Sequence, residues 1–328
     1  MSTSNHCRLN LGHMVTKLAC SVAESAAPAA TTLMETSIGA LEFRNGVPTA
    51  ETARRVHDNL TLVCAIESFL RGLPGVQLCR LREAQRRLAG TDSDVLNIFF
   101  KPISSKLRLV ASTASRYEAW SFIDISKNGP TIIGFPPAML GAVKDMWSSP
   151  VAELGPAGHD AGRGAKYLIL PPDYEGRVPG RYFVLRPRTN RIWIFVRCPN
   201  ARPPDHAARI VAEKLKIYSL TPANRARTTR LIDGSQLHLG QVAPNDLRFF
   251  EDLHQMVQTE PSHSLETDRR SLFASIGIVK GQPYRPNVRM KRTLADAVAI
   301  GSATVGAINY YARNLHRPVE ITTRSTGC

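Results

Sequence analysis

Hydrophobic and polar positions alternate most cleanly over Arg191–Cys198. Ile192, Ile194, Val196 and Cys198 fall on one side, and Arg191, Trp193, Phe195 and Arg197 on the other, the period of a half-buried strand. Two shorter strands, Lys166–Leu170 and Arg181–Arg186, precede it, spaced by Pro171-Pro172, Gly176, Pro179 and Gly180. The same period predicts strands over Asp94–Lys101, Leu107–Thr113, Tyr117–Ile125 and Thr131–Phe135, with turns at Ser104-Ser105 and Asn128-Gly129-Pro130. Ile38–Phe43 is a short strand closed by Asn45-Gly46. Ile217–Leu220 and Thr228–Ile232 complete the set.

Elsewhere the apolar spacing is three and four. Val56, Leu60, Val63, Ile66 and Leu70 form one stripe on a helix from Pro48-Thr49 to about Arg71. Gly72, Pro74 and Gly75 predict its end, and Val76–Leu88 a second helix with Leu78, Leu81 and Leu88 inward. Pro136-Pro137 predicts a short helix with Leu140, Val143, Met146 and Trp147 inside. Pro203-Pro204-Asp205 opens another, with Ala207, Ile210, Val211 and Leu215 inside. After about Gln241 the chain turns helical. One helix starts at Pro244-Asn245-Asp246 and stops at Pro261, with Leu247, Phe250, Leu253 and Val257 inside. Thr267–Ser275 and Asn287–Asn314 follow, and Gly301 and Gly306 of the last would admit a close neighbour.

The net charge of +15 and pI near 9.9 raise a nucleic-acid reading. The two basic clusters, Arg80-Arg82-Arg86-Arg87 and Arg225-Arg227-Arg230, contain no aromatic stacking platform. A solvated basic surface is therefore preferred to nucleic-acid binding. No uninterrupted apolar run reaches the about 20 residues of a membrane helix, so no transmembrane segment is expected. Met1–Thr36 is read as a disordered leader, because His13 and Lys17 interrupt its semi-apolar run. The compartment is cytoplasmic if that leader is inert, and the periplasm is the alternative.

The six cysteines form no C-x-x-C pair, and no histidine stands at zinc spacing, so no metal or cofactor is expected. Cys64 and Cys198 are read as buried thiols. The Gly155–Lys166 loop lacks the Gly-Lys-Ser/Thr of a phosphate loop. His159 and Asp160 in it are read as a turn, with a polar site as the alternative. Tyr117, Trp120, Tyr167, Tyr182, Trp193 and Phe195 are read as sandwich core before they are read as a ligand cleft. Arg191 and Arg197 beside Trp193 and Phe195 could bind an anion or form an ion-paired surface. The candidate ligand-binding residues are thus Tyr117, Trp193, Arg191, Arg197, His159 and Asp160, and no catalytic residue is assigned. Asp246 and Glu251, about 140° apart on a helix, are no acid/base pair.

An ordered series of short motifs resembles the bacterial family called "domain of unknown function 1254". It begins at Ile38-Gly-Ala-Leu-Glu-Phe43, Asn45-Gly-Val-Pro48 and Gly72-Leu-Pro-Gly75. It continues through Phe122-Ile-Asp-Ile125, Gly129-Pro130, Pro136-Pro137, Leu140-Gly141, Gly164-Ala-Lys-Tyr-Leu168, Pro171-Pro-Asp-Tyr174 and Leu215-Lys-Ile-Tyr218. It ends with Pro244-Asn-Asp246, Phe249-Phe-Glu251 and Ile276-Gly-Ile-Val-Lys-Gly281. The resemblance implies an immunoglobulin-like β-sandwich followed by a helical subdomain. The family has no established reaction, so it supplies no catalytic residue. Ser112-Thr-Ala-Ser-Arg116 stands where members usually carry an Asn-Thr-Asp-Thr-like run. Members also usually continue into a jelly-roll domain ("domain of unknown function 1214"), which is not recognised here.

The expected fold is α+β: an antiparallel β-sandwich with flanking helices over 37–240, a helical subdomain over 241–315, and tails at 1–36 and 316–328. The expected function is a non-enzymatic binding or assembly module that forms a homo-oligomer. The alternative is a hydrolase-like enzyme acting on a small polar ligand between sandwich and helices.

Overall fold

The alternating segment Arg191–Arg197 forms β11, the centre of the computed structural model, which describes residues 30–90, 95–98, 118–197, 204–221, 230–234 and 243–315. The chain divides into two compact units, residues 1–60 and residues 61–328. In the first unit β1 (Thr31–Met34) pairs with β2 (Leu41–Arg44), and β2 with β3 (Val47–Pro48), all antiparallel. β1 thus forms within the stretch expected to be leader. α1 (Ala50–Ala89) starts here, where Thr49 Oγ1 accepts from Thr52 N at 3.3 Å and Thr52 Oγ1 accepts from Glu42 N at 2.8 Å.

In the second unit a six-stranded sheet has the order β13-β4-β5-β11-β7-β8. Its strands are β4 (Val95–Ile98), β5 (Glu118–Asp124), β7 (Leu140–Asp145), β8 (Pro150–Leu154), β11 and β13 (Arg230–Asp233). A four-stranded sheet has the order β10-β9-β6-β12, from β6 (Thr131–Phe135), β9 (Ala165–Ile169), β10 (Phe183–Leu185) and β12 (Lys216–Ser219). Neighbours are antiparallel except β4–β13 and β9–β10. A four-residue helix, α2 (Ile125–Asn128), follows β5, and α3 (Pro204–Lys214) precedes β12.

The two faces of β11 separate two cores. Ile192, Ile194 and Val196 pack with Ile123 and Val143, with Ile133, Phe135, Tyr167 and Ile169 of the other sheet, and with Val211 and Leu215. Trp120, Phe122 and Trp193 pack instead with α1 and with α4 (Arg248–Thr259), α5 (Thr267–Ser275) and α6 (Val288–Leu315). The second unit is therefore sheet on sheet with a helical layer behind, an α+β sandwich. The helices after Gln241 share this second core with α1.

Three expectations change. Gly72, Pro74 and Gly75 do not end a helix, because α1 runs through them. Proline removes one backbone donor, but the glycines compensate by letting α4 approach. A Cβ at Gly72 would stand 3.1 Å from Leu253, and one at Gly75 would stand 2.7 Å from Met256. Leu140–Asp145 is a strand and not a helix. Its buried positions alternate, and β11 and β8 satisfy its backbone on both sides. The missing side chain of Gly141 leaves room for the Phe135 ring. On α1, Val56, Leu60, Val63 and Leu88 are exposed, while Ala65, Phe69, Val76, Leu78 and Leu81 are buried. By length and composition α1 could also cross a bilayer, a property that a core helix shares, and the residues from Ala65 to Leu81 lie in the core.

The expected strand Leu107–Thr113 and Cys7, Cys20, Cys198 and Cys328 lie outside the described residues. Gly301 behaves as its sequence suggests: Phe69 occupies the space where a side chain would be.

Candidate functional site

Residues of the helix-facing side of β11 were the main candidates for chemistry, and the strand register decides their neighbours. Arg191 pairs with Asp124, Trp193 with Phe122, and Phe195 with Trp120 on β5. Arg191 Nε stands 3.2 Å from Asp124 Oδ2, and its Nη1 donates to Glu260 Oε1 at 3.0 Å. Both carboxylates are buried. Glu260 Oε2 also accepts from Asn190 N at 2.6 Å, which joins the end of α4 to the start of β11. Asp124 caps α2, accepting from Ser126 Oγ at 2.5 Å and Lys127 N at 3.3 Å. Burial pushes the Glu260 carboxyl up, against the pull of the Arg191 guanidinium. Two carboxylates already balance Arg191, so it offers little attraction to an incoming anion.

Trp193 and its neighbours form an aromatic band. The ring centroids of Trp120, Phe122 and Phe195 lie 6.5, 6.5 and 5.5 Å from that of Trp193. The Arg197 guanidinium sits 4.6 Å over the Phe195 ring. The band continues into polar groups under α1. Asn97 Nδ2 donates to Gln85 Oε1, and both side chains are fully buried. Gln85 Nε2, Asn97 Oδ1 and Trp193 Nε1 have no hydrogen-bond partner among the described residues. Burial pushes the nearby Cys79 thiol up to about 12, so it stays protonated and weakly nucleophilic near neutral pH.

His159 and Asp160 belong to a different place, the loop between β8 and β9. His159 stacks on Phe183 with centroids 5.5 Å apart. Asp160 is buried and accepts from Gly155 N at 2.7 Å, Gly164 N at 3.0 Å and the Tyr167 hydroxyl at 2.6 Å. Burial raises the Asp160 carboxyl, but these donors outweigh it and hold the group below the usual range. The aspartate therefore closes the glycine loop onto β9. Asp160→Ala should cost about 2 kcal/mol or more, because three donors lose a charged acceptor. Tyr167→Phe should cost less. Urea denaturation of both variants checks the order.

Of the candidate residues, Arg191, Trp193 and Arg197 share one strand face, His159 and Asp160 share one loop, and Tyr117 lies outside the described residues. Sequence reasoning did not single out Asp124, Glu260, Gln85, Asn97 or Cys79. Asn97 did leave a signal, as the one polar residue of Val95–Ile98, and Asp124 a weaker one, closing a strand that also carries Glu118 and Ser121. Glu260 and Gln85 left none, since only packing buries them. The Arg80 cluster is tied down: Arg80 pairs with Asp252 at 2.5 Å, and Arg86 and Arg87 pair with Glu83 at 2.7 and 3.2 Å. Arg230 donates to the Ala89 carbonyl at the end of α1. Arg225 and Arg227 lie outside the described residues.

The fold resembles the crystal structure of the VPA0106 protein from Vibrio parahaemolyticus, with TM-score 0.54 and 12% identity. That likeness covers 76% of this chain and 59% of the other, so the chain spans about three fifths of the length of this relative. No curated protein matches the chain. Residues 115–222, from the start of the β5 region through β12, match the family model "Protein of unknown function (DUF1254)". Over residues 115–222 the chain is thus similar to the DUF1254 family, the one that its ordered motifs resemble.

Proposed function

We propose that the protein is a non-enzymatic assembly module that associates with itself. One contrast carries this reading: groups suited to chemistry are spent inside the fold, while large apolar side chains are left uncovered. Arg191 is spent on Asp124 and Glu260, and Asp160 on its own loop. Leu33, Met34, Val47, Val56 and Leu60, by contrast, are all exposed. Exposed apolar surface of this kind marks association sites. Sedimentation velocity of the full chain should show a dimer or higher oligomer that grows with concentration. A clean monomer at the highest concentration would end this reading. An immunoglobulin-like descent of the sandwich, and a jelly-roll domain following in longer relatives, belong to the same proposal.

One observation favours a second reading, a small polar ligand held between sheet and helices. The outer amide atoms of Gln85 and Asn97 lack partners among the described residues. Exchanging N and O in both side chains still leaves one donor and one acceptor. A single buried water would satisfy both. High-resolution electron density decides: one water atom makes the pair structural, and a larger feature makes it a ligand site.

A further inference from the structure

The described residues of the N-terminal unit include apolar side chains but no fully buried apolar one. Among its described residues, 30–60, only Thr52 is buried. Leu33 is 63% exposed, Val47 64% and Leu60 55%. Yet the backbone is regular. Three strands pair in register, Ala30 N donates to Asn45 Oδ1 at 3.1 Å, and Arg55 Nη1 donates to the Ala40 carbonyl at 2.5 Å. Only Leu41 and Phe43 of β2 are half-buried among the apolar strand residues, and short strands that cover so little apolar surface are marginal in water. The unit therefore has the chemistry of a segment that finds its core in another molecule.

β1 is where another molecule can attach. It is an edge strand, paired only with β2 among the described residues, and all four of its residues are exposed. Natural edge strands are protected by charges, proline or bulges. Thr31-Thr32-Leu33-Met34 contains no charge and no proline, and it pairs with β2 in an unbroken register. Its threonines favour strand pairing.

On the self-association reading, charge selects this unit as the surface through which a second copy of this chain approaches. The whole chain carries +15, so two copies repel over most of their surfaces. Residues 30–60 are nearly neutral, with Glu35, Glu42, Glu51 and Asp58 against Arg44, Arg54 and Arg55. Ion pairs within the unit use much of that charge: Arg54 with Glu51 at 2.5 Å and Arg44 with Glu42 at 3.2 Å. Like-charged copies approach at least electrostatic cost through this unit.

We propose that β1 pairs antiparallel with β1 of a second copy, forming a six-stranded sheet in the order β3-β2-β1-β1-β2-β3 across a twofold axis. A strand pairing antiparallel with itself is isologous, so the contact closes at the dimer. The pairing satisfies the free backbone edge of β1 and sets Leu33 and Met34, on opposite faces of the sheet, beside side chains of the second copy. The interface is small, so the dimer is weak and depends on concentration. Salt tightens it by screening repulsion between the basic bodies. Charge-driven nucleic-acid binding has the opposite salt dependence.

This inference rests on the self-association reading, and the experiment separates the two. Sedimentation velocity is run on the full chain, on Leu33→Lys, on Met34→Lys and on Leu231→Lys, whose exposed side chain lies on β13 in the other unit. Circular dichroism confirms that each folds. The expected result is a wild-type dimer whose dissociation constant rises about tenfold or more in each β1 variant, since each charge enters twice. Leu231→Lys should leave it unchanged. A dimer undiminished in both β1 variants overturns this interface and leaves self-association standing. A wild-type monomer at every concentration overturns both. A monomer that instead sediments with phosphatidylglycerol vesicles, and loses that property in Leu33→Lys, makes β1 a lipid-facing surface and overturns the proposal.

Discussion

Arg191→Met should lower the stability of the folded chain by about 3–5 kcal/mol, the cost of breaking a buried ion pair from one side. Arg191 is the guanidinium between Asp124 and Glu260, and methionine fills similar space without charge. The loss should therefore be electrostatic more than steric. Its pH dependence follows from Glu260, which burial already holds above the ordinary Glu range in the folded chain. A carboxyl raised on folding favours the folded state at low pH and loses that advantage as pH rises through its folded value. Removing Arg191 raises Glu260 further. The deficit should thus be largest at neutral and alkaline pH and shrink on acidification towards the ordinary Glu range. Urea midpoints at several pH values, with an unchanged m-value, test both parts. A deficit below about 1 kcal/mol, or one independent of pH, would show that the pair is not the buried charge centre described here.

Gly301→Ala should destabilise the chain by about 1–3 kcal/mol, although helix propensity alone would stabilise it by about 1 kcal/mol. The added Cβ would overlap Cδ1 of Phe69 and lie 3.0 Å from Cε1 of the same ring. Phe69 is buried and its ring lies tilted against that of Phe249 with centroids 4.3 Å apart, so it cannot swing away freely. Gly306 on the same helix has nothing within 4 Å of an added Cβ. Gly306→Ala should therefore stabilise by about 0.5–1 kcal/mol. The opposite signs of two identical substitutions separate packing from propensity. A cycle with Phe69→Leu should recover part of the Gly301→Ala loss, because the shared contact couples the two sites. Additive effects would show that α6 and α1 are not in contact at this point.

Much of the fold was legible because period two and period three-and-four leave different marks. Thr131–Phe135 and Thr267–Ser275 lie where the pattern placed them, and Arg191–Arg197 forms the expected strand over its described residues. Leu140–Asp145 failed because a six-residue run fits both periods, and strand neighbours chose between them. Gly72-Leu-Pro-Gly75 failed because the residues that usually end a helix here make room for α4. The candidate site was only half legible. Arg191 and Trp193 were visible as a strand face, but the carboxylate of Glu260 meets Arg191 from just past the end of α4, 69 residues away in sequence.

The sequence by itself determined most of the elements, the alternating faces of β11, and the resemblance to a family over residues 115–222. These follow from local spacing, and local spacing is written in the chain. Only the tertiary structure decided which face met helices and which met a second sheet, and that Arg191 and Asp160 were used internally. It also decided that the first turns of α1 and the strand β1 kept their apolar side chains in solvent. Burial belongs to the whole assembly of elements: a residue is inside only when another element arrives to cover it.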